Sequence, residues 1–335
     1  MKILLISPRT TGIGGVAQHV RKLRSLLLLN GHYVDVISTE NTPHIPVKGM
    51  YNTSFAVTSF MKSFLNEKSY DVVHAHNFPS WPAASVANAR KKIITLHGAF
   101  AIQEGELHGH LVDSIARRIE NIWSKRPDLV TCISLDATRY YSRISKRAVW
   151  VPNAIDPREM PTEGIRLAKY QACYVGRLSR EKGIDVLLDA MKYIDSSIKV
   201  VVIGSGNSAA VVRAAKLYDN LIFLGYKSRE ETLKLIKGSD SLLIPSRLEG
   251  MPTVMLEAMA LGVPVIASAI RPLLDISEHF VKVEPGNPER LAKAVNASVF
   301  NADPSIVEKA RKDVMQKYTW EKVLALYLKA YEDDS

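Results

Sequence analysis

Twelve short apolar runs alternate with helix-like stretches along the chain, in two series of six. The first comprises residues 2–7, 33–38, 72–75, 93–96, 129–133 and 149–151; the second comprises 172–175, 199–203, 222–224, 241–245, 263–267 and 281–283. Several are unbroken runs of Val, Ile and Leu, the pattern of strands covered on both faces of a parallel sheet. Parallel neighbours need a crossover between them, so the alternation predicts an α/β fold built as two doubly wound, Rossmann-like halves. A length of 335 residues suits two domains of roughly 150 residues each. The polar stretch 156–169, with Pro157, Pro161 and Gly164, is the best linker. It divides the chain into domains 1–155 and 156–318.

Composition narrows the function classes. No apolar run approaches the ~18 residues of a membrane-spanning helix. Residues 1–6 are too short for a signal peptide and read as the first strand. Cys132 and Cys173 lie in strand-like runs of different halves, so neither a disulfide nor a metal-ligand spacing is expected. A cytoplasmic chain follows. Residues 1–155 carry 19 Lys and Arg against 10 Asp and Glu, a net +9, while residues 156–335 carry 25 against 24, a net +1. Such asymmetry bears on what each half meets rather than on how it folds. No nucleic-acid-binding motif accompanies the basic half.

The most informative local stretch runs from Ser246 to Ser268. A predicted strand ends in a Gly-Pro loop, and a helix begins near Pro252 or Thr253, where Pro suits a first turn because its missing N–H would have no partner. Free N–H groups there, at Gly250, Met251, Thr253 and Val254, can hold an anion or sugar with help from the helix dipole. Glu249 precedes the helix and Glu257 lies about one turn inside it. Two carboxylates flanking an anion site match a sugar nucleotide: sugar hydroxyls, diphosphate, ribose hydroxyls. Gly14 and Gly15 follow the first strand and precede a helix with an expected buried stripe of Val16, Val20, Leu23 and Leu27; such glycines let backbone approach a phosphate.

The Glu249–Glu257 stretch resembles the signature of the retaining glycosyltransferases of family 4, two glutamates separated by seven residues. Further motifs follow the family's order: Gly14-Gly15-Val16, Asn30-Gly31-His32, the run from Asp71 to His76, Leu96-His97-Gly98, the run from Val151 to Asp156, the run from Val175 to Gly183, and Ile203-Gly204-Ser205-Gly206. The resemblance covers most of the chain. It implies the GT-B architecture, two facing Rossmann-like domains with a deep cleft between them, an N-terminal acceptor domain, a C-terminal sugar-nucleotide domain, and a C-terminal helix, here 319–331, packing back on the first domain.

The resemblance also implies roles. Arg177 and Lys182 would bind the donor diphosphate, whose charge grows as the sugar departs. Glu257 would hold the ribose hydroxyls and Glu249 the transferred sugar. Gly204 and Gly206 would line the donor pocket, and His97 would lie near donor sugar and acceptor. Of His74 and His76, the latter is the more expected cleft residue. No Asp-x-Asp motif occurs, so no metal or other cofactor is expected, and the two cations would take the metal's place. The implied chemistry is retaining transfer from a nucleotide-sugar to a lipid-linked or cell-envelope glycan acceptor. A sugar-nucleotide epimerase of the same fold, or a weak sugar-nucleotide-binding partner of another transferase, are the alternatives. One departure stands out: Arg271-Pro272 replaces the family's Gly-Gly turn, and Asp275 stands where glutamate is usual.

The basic half also carries a membrane expectation. Arg21, Lys22 and Arg24 lie beside Leu28 and Leu29 on the first helix, and the segments 117–126 and 139–147 mix cations with aromatics. Such surfaces dock on anionic headgroups, which would place the protein at the inner face of a membrane.

Overall fold

The computed structural model describes residues 1–11, 14–47, 50–98, 118 and 120–333. The chain forms two units, Met1–Asn153 together with Glu321–Ser335, and Ala154–Trp320. The linker stretch lies within the second unit, and its first residue, Asp156, is buried. There it caps the short turn Pro157–Glu159 and pairs with Arg158 at 2.8 Å.

The first unit holds β1 (Lys2–Ile6), β2 (Tyr33–Ile37), β3 (Tyr70–His76), β4 (Ala89–Leu96), β5 (Leu129–Cys132) and β6 (Ala148–Trp150) in the order β2-β1-β3-β4-β5-β6. Every neighbouring pair is parallel, from Lys2↔Tyr33 at one edge to Cys132↔Trp150 at the other. β5 is buried along its whole length and β3 at all but one position, which is what the unbroken apolar runs require. The core gathers Ile6, Phe55, Val73, Trp81, Ile94 and Val130.

The second unit repeats the plan with β7 (Tyr170–Val175), β8 (Ile198–Ile203), β9 (Leu221–Gly225), β10 (Ser241–Ile244), β11 (Val265–Ser268) and β12 (Val281–Val283), ordered β12-β11-β10-β7-β8-β9 and again all parallel. Both cysteines are free and buried; burial pushes each thiol up to about 12, so neither is a ready nucleophile.

Each sheet has one place where the chain reverses its direction of growth. In the first, the chain steps from β1 to β2 on one side and returns to β3 on the other. In the second, it grows from β7 through β8 to β9, then returns to β10 on the far side of β7. Ligands of open α/β sheets bind outside the carboxyl ends of the strands at such reversals. The loops after β1, β3, β7 and β10 are therefore the places to look for a site.

The first helix, Gly15–Leu29, buries Ala17, His19, Val20, Leu23 and Leu27. The expected stripe is corrected at its start: Val16 is only half-buried and His19 takes an inward position. His19, Leu23 and Leu27 follow a four-residue spacing, so the polar residue rides the same face as the leucines. The C-terminal helix, Trp320–Glu332, presents Tyr327 to His19 of the first helix and Tyr331 to His74 of β3. Asp333 just beyond it pairs with Arg147 at 2.6 Å and offers its carbonyl to Lys91.

Candidate functional site

In the second unit, the loop after β7 is drawn tight by Tyr174, whose hydroxyl donates to the carbonyls of Arg177 at 2.7 Å and Lys182 at 3.5 Å. Gly204 and Gly206 buttress it from the end of β8. A Cβ at Gly204 would sit 1.9 Å from the Gly176 carbonyl oxygen, so only glycine lets the two backbones meet. Gly206 pairs with Leu178 in a parallel bridge. These two glycines thus shape the cation loop, a packing role that the expected pocket-lining role did not include.

Lys182 turns toward the loop after β10 and pairs with Glu249 at 2.7 Å. The other Glu249 oxygen accepts from Ser246 Oγ at 2.8 Å, and the carboxylate is almost wholly buried, at 6%. Arg177 lies on the exposed side of the same loop, paired with Glu181. Helix Thr253–Ala260 starts after Pro252 with no side-chain cap. Met255 N–H already bonds the Pro252 carbonyl at 3.1 Å. Gly250, Pro252, Thr253 and Val254 keep partial exposure, while Met251 is buried.

Glu257 sits in that helix as expected, but it is buried, and it pairs with Arg229. Arg229 also reaches Glu159 at 3.4 Å. It is the partner of a candidate site residue, and sequence reasoning missed it. It opens the helix Arg229–Lys237, whose capping box of Ser228 and Glu231 is legible; nothing in the chain links that position to a glutamate 28 residues on. The Arg271-Pro272 departure forms a one-turn helix, Arg271–Leu274, with Arg271 paired to Asp275 at 3.1 Å.

In the first unit, Gly14 takes φ +130°, a backbone state side chains rarely adopt, and among the described residues no atom beyond the adjoining chain comes within 4 Å of where a Cβ of Gly14 or Gly15 would stand. The loop before them is anchored by Glu40, which accepts from the N–H groups of Thr10 at 3.0 Å and Thr11 at 2.9 Å. Burial raises the Glu40 carboxyl, but hydrogen bonds from Ser38 and Thr11 outweigh it and hold it down to about 2.

His97 follows β4 and is partly exposed. Its Nε2 lies 3.1 Å from His76 Nδ1. His76 is fully buried, which corrects its expected place as the accessible member of its pair; His74 is equally buried. His74 bridges Tyr331 Oη at 2.8 Å and Thr95 Oγ1 at 2.6 Å, and His19 meets Tyr327 Oη at 3.0 Å. Burial holds His19 down to about 4 and His74 to about 3. It also holds His76 and His97 well below the usual imidazole range, with neighbouring imidazoles adding to the effect. All four rings are therefore neutral at pH 7.

His19, His76 and His97 bring ligand atoms within 4.8 Å of one another, the grouping among the described residues that could accept a metal. One nitrogen of each ring is already engaged, His19 Nε2 with Tyr327 and His76 Nδ1 with His97 Nε2, while His76 Nε2 is buried without a hydrogen-bond partner; among the described residues no carboxylate or thiolate joins the grouping.

Of the expected membrane surface, Leu28 and Leu29 are exposed beside exposed Arg21 and Arg24. Segment 117–126 falls partly outside the described residues, and in 139–147 Arg139, Lys146 and Arg147 are each paired with an aspartate. The helix Tyr51–Phe64, unremarked in the sequence reading, presents Val57, Met61 and Phe64 to solvent, with Leu65 following. No described helix is long and apolar enough to cross a membrane.

Comparison with known proteins agrees with this architecture. The family description "Glycosyltransferase Family 4" matches residues 13–159, and "Glycosyl transferases group 1" matches residues 156–313. An uncharacterized glycosyltransferase of Methanocaldococcus jannaschii is 27% identical, covering 99% of this chain and 98% of its own. A phosphatidyl-myo-inositol mannosyltransferase of Mycobacterium leprae is 25% identical over 99% of this chain and 96% of its own. Among solved structures, sucrose-phosphate synthase from Thermosynechococcus elongatus superposes with TM-score 0.80 at 22% identity over 98% of both chains. Anabaena HepE in complex with UDP and glucose gives 0.73 at 18% over 98% of this chain and 99% of that one. The fold is GT-B, two parallel six-stranded α/β units.

Proposed function

This chain belongs to the family 4 glycosyltransferases and is a nucleotide-sugar-dependent transferase, and on that premise we propose that it transfers the sugar with retention, without a metal ion, to a lipid-linked or cell-envelope glycan. The observation that carries this reading is the joining of the β7 and β10 loops by the Lys182–Glu249 pair at 2.7 Å, at the reversal point of the second sheet. A cation for the diphosphate and a carboxylate for the sugar stand side by side there, next to an uncapped helix start.

In this reading, Arg177 and Lys182 take the charge that grows on the leaving nucleoside diphosphate, and the N–H groups from Gly250 to Val254 hold phosphate and sugar. Glu257, steadied by Arg229, holds the ribose hydroxyls. Glu249 orients the sugar. As the C1–O bond to phosphate breaks, the acceptor hydroxyl attacks from the same face and its proton passes to the departing phosphate oxygen. Gly14 and Gly15 leave open backbone for the donor, and His97 contacts the sugar. The basic first unit brings the enzyme to an anionic membrane surface.

Three measurements test the reading. A thermal-shift panel of UDP-, GDP- and ADP-sugars selects the donor; a ligand at 100 times its Kd adds about 2.7 kcal/mol of stability. NMR of the product then reads the anomeric configuration: an inverted linkage removes the retaining assignment. Turnover is expected to survive EDTA, and loss that Mg²⁺ or Mn²⁺ restores removes the metal-independent one.

A further inference from the structure

We propose that Asn77 is a positioning residue, which fixes the backbone at His97 through its side-chain amide and is held in a strained conformation to do so; this rests on reading His97 as a contact of the donor sugar. Among the described residues it is the only one other than glycine with positive φ. Its angles, φ 62° and ψ 163°, fall in a region that is in effect reserved for glycine. Strain of this kind persists only where the surrounding structure over-determines it, and it concentrates at functional sites.

The reason is visible at the ends of β3 and β4. Their ladder stops at the pair His76↔Thr95. Asn77 follows directly and extends the link between the two chains. Its N–H donates to the Thr95 carbonyl at 2.8 Å, and its Oδ1 accepts from the His97 N–H at 3.0 Å. One residue thus bonds the backbone on either side of Leu96. Its carbonyl accepts from Ser80 N–H at 3.1 Å, and Ser80 Oγ donates to the His76 carbonyl at 2.8 Å, so the short turn Phe78–Ser80 braces Asn77 from the other side. His97 is then held twice, by Asn77 at its backbone and by His76 at its ring. Glycine would fit the backbone without strain, but it has no side-chain acceptor for the His97 N–H.

The test compares Asn77→Gly, Asn77→Asp, His97→Ala and the double variant Asn77→Gly/His97→Ala in the full chain. The readouts are nucleoside diphosphate release from the donor that the thermal-shift panel selects, thermal melting, and amide hydrogen exchange at residues 96–98. Asn77→Gly removes the strain together with the acceptor. It is expected to melt no lower than the parent, to exchange the His97 amide faster, and to lose kcat by up to about 100-fold with donor KM little changed, the scale of a small misplacement of reacting groups. Asn77→Asp keeps an acceptor oxygen and is expected to retain most of kcat. The double variant is expected to be no slower than His97→Ala alone. Unchanged kcat or unchanged His97 exchange in Asn77→Gly overturns the proposal, as does a kcat loss matched by lower melting. If His97→Ala is slow but Asn77→Gly is not, only the positioning role falls. If His97→Ala keeps full kcat, the reading of His97 falls and the proposal with it.

Discussion

The two units place their candidate residues in opposite electrostatic states. In the first unit stand four imidazoles, three buried and His97 partly exposed, held neutral and engaged with each other, Tyr327, Tyr331 and Thr95. In the second stand charges, each already paired: Lys182 with Glu249, Arg177 with Glu181, Arg229 with Glu257. The difference teaches what each side can contribute. Neutral rings supply shape and hydrogen bonds and respond little to an arriving anion. Paired cations can exchange a carboxylate partner for a diphosphate, so the empty site never leaves a bare buried charge, which would be costly. The charged side is accordingly the one whose loss should stop turnover.

The largest expected effect breaks the comparison most directly. Lys182→Met and Arg177→Ala are each expected to lower kcat by about 10²–10³, the usual cost of removing one electrostatic donor from a developing oxyanion. Lys182→Met also strands the buried Glu249, so its melting temperature is expected to fall, whereas Arg177, on the exposed side of its loop, leaves folding intact. Near-normal turnover in both removes the diphosphate assignment. In the same unit the glutamates should separate. Glu257→Gln is expected to raise donor KM, because ribose contacts act alike in ground and transition states. Glu249→Gln is expected chiefly to lower kcat. If both change KM alone, the role of Glu249 is wrong.

Next in size is the buried pair that the sequence concealed. Arg229→Leu leaves Glu257 buried without its cation, and breaking such a pair costs about 3 kcal/mol or more. Chemical denaturation should report a loss on that scale, and Arg229→Leu/Glu257→Leu should regain much of it. Equal stability of parent and Arg229→Leu shows that Glu257 does not need its partner.

What was legible in the chain follows the same division. Strands were legible because a doubly covered parallel sheet demands unbroken Val, Ile and Leu, as in residues 3–6 and 200–203. The loop motifs were legible because glycine, proline and charge cluster at fixed offsets in Arg177–Gly183 and Glu249–Thr253. Arg229 was not, since an ion pair between two helices leaves no local pattern. Nor was Asn77, whose backbone lies in a region that residue type would assign to glycine. His76 misled because period-2 spacing tells which face a residue takes but not whether another element covers that face; the C-terminal helix covers this one.

The neutral side has its own test in acid. A histidine whose folded value lies below the unfolded value of about 6.5 stabilises the fold fully above that pH. Below it the unfolded chain binds protons that the fold refuses, so stability falls as pH drops, for His19 until its folded value near 4. Each such histidine costs about 1.4 kcal/mol per pH unit in that window. His279, the second unit's own histidine, is not buried. Hydrogen exchange between pH 6.5 and 4 should therefore show the first unit opening before the second. Parallel loss in both units argues against a special role for the buried imidazoles.

The smallest effect concerns surfaces rather than sites. The first unit's net +9 against the second's +1 is spread over many residues, and each basic group near an anionic membrane contributes only about 1 kcal/mol, fading with salt. Apolar insertion should decide where the contact lies. Leu29, 81% exposed, ends the first helix, while Val57, Met61, Phe64 and Leu65, 50–71% exposed, form a stripe at helical spacing on Tyr51–Phe64, a helix with no acidic residue and with Lys62 beside the stripe. Vesicle sedimentation with anionic and neutral lipid, at low and high salt, separates the two. If the second helix docks, Phe64→Ser/Leu65→Ser weakens binding more than Leu28→Ser/Leu29→Ser, and Lys62→Glu weakens it by at least about five-fold, one residue's worth of attraction. The reverse order returns the contact to the first helix. Equal binding to both lipids, or none, removes the membrane altogether, and the charge difference between the units must then serve a soluble anionic acceptor.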